Sequence, residues 1–258
     1  MLRKLSALLW AMCLAIAVHA AAPVLAPAAS VNIAGEQRML SQRLAKAYAQ
    51  LGLNIVPGVA GMQVKESISR FEANLDLLRP GVASVAEAAP IYKRLVQEWS
   101  TLRAAAVIPV TRDSALAVSQ RSQRVLDSAE QLTQALSAAS GDVGRRVDLA
   151  GRQRMLSQRL VKAYMLQSWG VDSRENRHEM DAAAREFSEG LVALAALPDN
   201  TAEMRVELEE IALQWEWLQT ALAVEGATSY RLVVAEAGDS ILIAADRLTR
   251  LYEQSGVR

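Results

Sequence analysis

Cysteine occurs once in this 258-residue chain and histidine twice. Cys13, the only cysteine, lies in an N-terminal apolar run, so beyond it the chain can form neither a disulfide nor a thiolate metal site. Past His19 the only histidine is His178, too little for a histidine-based triad or zinc centre. A glycine-rich phosphate loop is also missing. Formal charge is balanced, with 28 basic and 28 acidic residues. That excludes the broad basic field a nucleic-acid partner requires. Aromatic residues are 5%, and the chain holds 13 Gly and 7 Pro. What remains is rich in Ala, Leu, Glu, Gln and Arg, the good helix formers, which predicts an all-α protein with no enzymatic chemistry and no cofactor.

No apolar run reaches the roughly 20 residues of a permanent membrane span. The longest, Leu5 to Val18, follows Arg3 and Lys4 and ends in small residues suited to cleavage after Ala20. Residues 1–20 therefore read as a signal peptide, with the mature chain exported to the periplasm.

The stretch "AGEQRMLSQRLAKAY" at Ala34–Tyr48 returns as "AGRQRMLSQRLVKAY" at Ala150–Tyr164, an offset of 116 residues. Between Val31–Tyr48 and Val147–Tyr164, 14 of 18 positions are identical. The same offset places Phe71 on Phe187, Trp99 on Trp215 and Leu102 on Leu218. The expected organisation is two tandem repeats, 31–140 and 147–258.

Punctuation divides the first repeat into four helical segments, near 32–52, 62–79, 84–105 and 111–139, with Pro57-Gly58, Pro80-Gly81 and Pro109 between them. The second breaks around Gly170–Asp172, at Pro198–Asn200 and near Gly226, and Asn200 with Glu203 reads as a capping box. Each repeat suits an antiparallel four-helix bundle. Four antiparallel helices return the chain to its starting end, and only Gly141–Arg146 separates the copies. The two motif helices are then expected side by side and parallel, with the repeats related by a pseudo-twofold.

On the motif helix, Ile33, Leu40, Leu44, Ala47 and Leu51 form one apolar stripe. Arg38 and Gln42 fall nearly opposite, among Ala34, Gly35, Ala45 and Ala49. Arg154 and Gln158 stand likewise with Gly151. Arg43, Lys46 and Gln50, with Arg159 and Lys162, read as a solvated flank. Trp99, Trp215 and Trp217 read as core. Outer positions such as Arg70 against Glu186 have diverged, so the polar identities within the motif require a shared reason.

The pattern Ala-Gly-x-x-Arg-Met-x-Ser-x-Arg, here Ala34, Gly35, Arg38, Met39, Ser41, Arg43 and again Ala150, Gly151, Arg154, Met155, Ser157, Arg159, resembles the signature helix of PilJ-type sensor domains. These are the N-terminal domains of type IV pili methyl-accepting chemotaxis transducers, related to the periplasmic domain of nitrate/nitrite sensor kinases. The resemblance implies a four-helix sensory bundle in which paired arginines from two first helices hold nitrate or nitrite. Carried over by position, the ligand-binding set is Arg38 and Arg154, with Gly35, Gly151, Gln42 and Gln158 beside them. It implies a soluble module for a small oxyanion held between the repeats, with a membrane sensor or transducer as partner. The competing expectation is a helical interaction protein that docks a chemoreceptor, pilus or envelope component without a small ligand.

Overall fold

A computed structural model describes residues 25–223 and 230–256. The expected leader at 1–20 and the break near Gly226 lie outside them. The described residues form eight α-helices and no strand: α1 (Pro27–Gly52), α2 (Pro57–Val82), α3 (Ala88–Ala106), α4 (Arg112–Ala139), α5 (Gly141–Ser168), α6 (Ser173–Ala195), α7 (Ala202–Ala223) and α8 (Tyr230–Ser255). None is long and apolar enough to cross a membrane.

The motif helices α1 and α5 pack against each other at the centre. α1 also packs on α2 and α4, α5 on α6 and α8, while α3 leans on α4 and α7 on α8. The fold is thus two four-helix bundles joined through their first helices. The direction of those helices follows from their partners. Lys46 meets Asp239 and Asn32 meets Glu253, so α1 runs antiparallel to α8. Gln158 meets Gly238 and Arg154 meets Asp246, so α5 is antiparallel to α8 as well. α1 and α5 are therefore parallel.

The turn that achieves this is shorter than the sequence suggests. Only Ser140 separates α4 from α5, and Gly141 at φ +64° carries the reversal. Glycine accepts that left-handed conformation without a Cβ clash. Residues 141–146, expected as a connector, are already the opening turns of α5.

Two other punctuation marks act differently from expectation. Pro57 opens α2, where its missing N–H is not needed, and Pro80 lies within the last turn of that helix. The chain breaks instead at Asn54 and Val56, with φ of 56° and 41°. Gly170 and Asp172, at φ 74° and 43°, are their equivalents 116 residues on, so the turn is a property of the repeat. At α7, Thr201 rather than Asn200 caps the helix, accepting from the Met204 amide. Asn200 instead bonds the Leu194 carbonyl and accepts from the Tyr252 hydroxyl.

Trp99 stacks on Phe71 at 3.7 Å, and Trp215 packs on Phe187 at 4.5 Å. Trp217 is not core. It is 64% exposed, because two residues along a helix turn a side chain about 200° away from Trp215.

Candidate ligand site between the repeats

The small residues Ala34, Gly35, Ala150 and Gly151 let α1 and α5 approach closely, and Arg38 and Arg154 lie in that contact, both essentially inaccessible. Their guanidinium groups converge. A Cβ added at Gly35 would stand 3.0 Å from Arg38 Nη2 and 3.7 Å from Arg154 Nη2. One added at Gly151 would stand 3.1 Å from Arg154 Nη2 and 3.6 Å from Arg38 Nη2. The glycines thus make the room in which the two arginines meet.

Two like charges buried this close need partners. Arg38 Nη1 donates to Glu130 Oε2 at 2.6 Å, and its Nη2 lies 2.7 Å from Asp148 Oδ1. Arg154 Nη1 donates to Asp246 Oδ1 at 2.7 Å and its Nη2 to Asn32 Oδ1 at 2.7 Å. The offset of 116 relates Glu130 to Asp246 and Asn32 to Asp148, so the cage obeys the same pseudo-twofold as the helices. Burial pushes the Glu130 carboxyl up, but Arg38 and Arg152 outweigh it and hold it below the usual carboxylate range. Asp246 is held down in the same way by Arg154 and Arg250. The two arginines are therefore not awaiting counter-charge; their own repeats supply most of it. What is left unmet is Nε of Arg38 and Nε of Arg154, two buried donors without an acceptor among the described residues.

The motif Ser and Gln residues serve a different purpose. Ser41 and Ser157 hydroxyls donate back to the carbonyls of Arg38 and Arg154. Gln42 Nε2 donates to the Ser122 carbonyl on α4, and Gln158 Nε2 to the equivalent Gly238 carbonyl on α8. The glutamines thus tie each motif helix to its last helix, one turn away from the arginine pair, and their Oε1 atoms have no partner among the described residues.

Of the flank expected to be solvated, Arg43 and Arg159 stay partly exposed, but Lys46, Gln50 and Lys162 are buried. Lys46 and Lys162 are 0% and 1% exposed. Each motif helix packs against four others, which leaves it only a narrow wet margin at residues such as Arg43, Arg152 and Arg159. Lys46 reaches Asp239 of α8, and Lys162 reaches Glu179 of α6. Sequence reasoning missed the carboxylates altogether. The signal was present, since positions 130 and 246 are acidic in both copies and 32 and 148 are an Asn/Asp pair, but acidic residues on helices ordinarily read as solvated.

From the surface, a groove of about 350 Å³ bordered by Asn32, Arg70, Asp246 and Arg250 leads to Arg154. Among the described residues no cluster of His, Cys, Asp and Glu suited to a metal occurs.

No curated protein and no solved structure matches the chain significantly. A family model does, twice: the type IV pili methyl-accepting chemotaxis transducer N-terminal domain, PilJ, matches residues 24–132 and 135–239. Two matched copies, each supplying one motif helix to a shared centre, place this chain in the PilJ family of sensory transducer domains.

Proposed function

We propose that this chain is a periplasmic sensory module that binds one small planar oxyanion, nitrate or nitrite, at the Arg38–Arg154 pair. The observation that carries the reading is the convergence of two buried guanidinium groups beside two glycines, each with an unpaired Nε donor. A planar anion accepts from a guanidinium fork in two places at once, and bridging two forks offsets their repulsion. The groove beside Arg154, bordered by Arg70 and Arg250, supplies an access route from the surface. Because Glu130, Asp148 and Asp246 already hold the arginines, the anion competes with them, and Asn32 and Asp148 at Nη2 are the ligands it displaces. One chain then does what a sensor dimer does with two, and conveys its state to a membrane transducer.

The test is thermal shift across nitrate, nitrite and unrelated anions. A ligand at 100 times its dissociation constant adds about 2.7 kcal/mol. Arg38→Lys and Arg154→Lys keep the charge but not the fork, so each alone is expected to abolish binding while the fold persists. Two anions bound per chain, or a single Lys variant that binds as wild type does, would overturn the shared site. Arg38→Ala is the poorer probe, because it leaves Glu130 and Asp148 without their cation.

A second reading is docking to a chemoreceptor, pilus or envelope component through a helix face. Val206, Leu213 and Trp217, all at least half exposed, form a stripe along α7. Trp217→Glu, expected to leave anion binding intact, separates the two readings if it removes association with a membrane transducer.

A further inference from the structure

The two buried lysines occupy equivalent positions on equivalent helices, yet their surroundings differ. Lys46 lies on α1 between α2 and α8; Lys162 lies on α5 between α6 and α4. Beside Lys46, two cations meet two carboxylates: Lys46 pairs with Asp239 and Arg43 with Glu66. Gln63 on α2 donates to the second oxygen of Asp239 on α8 at 2.8 Å, which closes that groove across its top.

Beside Lys162 the carboxylates stand elsewhere: Glu179 pairs with it directly, and Asp127 on α4 acts on it from further off. Glutamine 123 replaces Asp239, Ala182 replaces Glu66, and Glu179 stands where Gln63 stands. Lys162 and Arg159 therefore share one oxygen, Glu179 Oε1, at 2.7 and 3.0 Å. Among the described residues no hydrogen bond bridges the walls. Gln123 donates to Asp127 on its own helix, at 2.8 Å, rather than across the groove. A cavity of about 680 Å³ results between α4 and α6, floored by α5. Its α6 wall carries Asp172 and Glu175, neither ion-paired among the described residues, where the α2 wall carries Val56 and Val59. Arg124 at the α4 rim is engaged by Glu98.

The geometry points to a second ligand site in this open groove, for a small amino carboxylate. Its carboxylate takes the place that Glu66 fills in the closed groove and Ala182 leaves open, beside Lys162 and Arg159 and near the Gln123 amide. Its ammonium faces Glu175 and Asp172. A charged pair of this kind, one end to a cationic floor and the other to an acidic wall, selects zwitterions over simple anions. The cavity is large enough for a side chain beyond the two charged groups, and Leu116, Val171 and Ala182 offer it an apolar surface.

Titration calorimetry on the mature chain with amino acids, their desamino acids and simple amines tests the site. Amino acids are expected to bind, and desamino acids to bind more than about tenfold more weakly, the loss of one charge-assisted contact. Ala182→Glu restores the carboxylate that Glu66 provides in the closed groove; it leaves Lys162 and Glu179 untouched and is expected to abolish binding without unfolding the chain. Arg38→Lys is expected to leave amino-acid binding unchanged, which keeps this site distinct from the oxyanion site. Failure of every amino acid at millimolar concentration, equal binding of the desamino acids, or retained binding in Ala182→Glu would each overturn the proposal.

Discussion

The two repeats agree where their first helices meet and disagree one shell further out. Around Arg38 and Arg154 the partners are equivalent pair by pair. Around Lys46 and Lys162 they are exchanged, with the carboxylate on α8 in one case and on α6 in the other. A third pair is inverted outright. Glu36 binds Arg70 at 2.6 Å in the first repeat, and in the second Arg152 reaches Glu186 at 3.4 Å from the same two positions. The Arg70 and Glu186 difference is therefore not free drift, as the sequence suggested, but half of a compensated swap. Contact chemistry is conserved as a pair even when neither residue is.

The largest test of that comparison is at the buried lysines. Glu179→Gln leaves Lys162 buried without a counter-charge and also strips Arg159, so it is expected to cost about 3–5 kcal/mol in chemical denaturation. Asp239→Asn is expected to cost roughly half as much by the same physics, since Asp239 serves one cation and is more exposed than Glu179. Equal losses would show that the exchanged carboxylates are equivalent after all.

Acid stability comes next. Glu130, Asp246 and Glu179 are all held below the usual carboxylate range by the cations beside them, against the opposing effect of burial. A depressed folded-state pKa contributes stability that is present above the unfolded pKa and is lost as pH falls through the folded one. Stability is therefore expected to be flat from neutral pH to about 5 as far as these groups are concerned, and to fall steeply below about 4. Glu130→Gln is expected to reduce that acid slope, read by denaturation midpoints across pH. An unchanged slope would remove Glu130 from the cage.

The smallest effect belongs to the inverted pair. Glu36→Arg alone sets two arginines together, and the double variant with Arg70→Glu recreates the order of the second repeat. A double-mutant cycle is expected to return a coupling of about 0.5–1 kcal/mol, modest because Arg70 is more than half exposed. Zero coupling would reduce the swap to coincidence.

Much of this protein was legible without coordinates. Helical composition, the 116-residue offset and the turn residues were enough for eight helices in two bundles, because helix propensity and apolar period are local properties. The duplication even implied that Arg38 and Arg154 meet, since an even number of antiparallel helices brings the second motif helix back beside the first. Tertiary structure alone decided what those arginines touch. Glu130 and Asp246 lie on the last helix of each bundle, 92 residues from the arginine they hold, and nothing in a helical period says which polar residue on a distant helix will face inward. It likewise decided that Lys46 and Lys162 are dry. A single amphipathic helix has a wet side, but packing against four others covers the part of it that holds the lysines, and that enclosure exists only once both repeats have folded together.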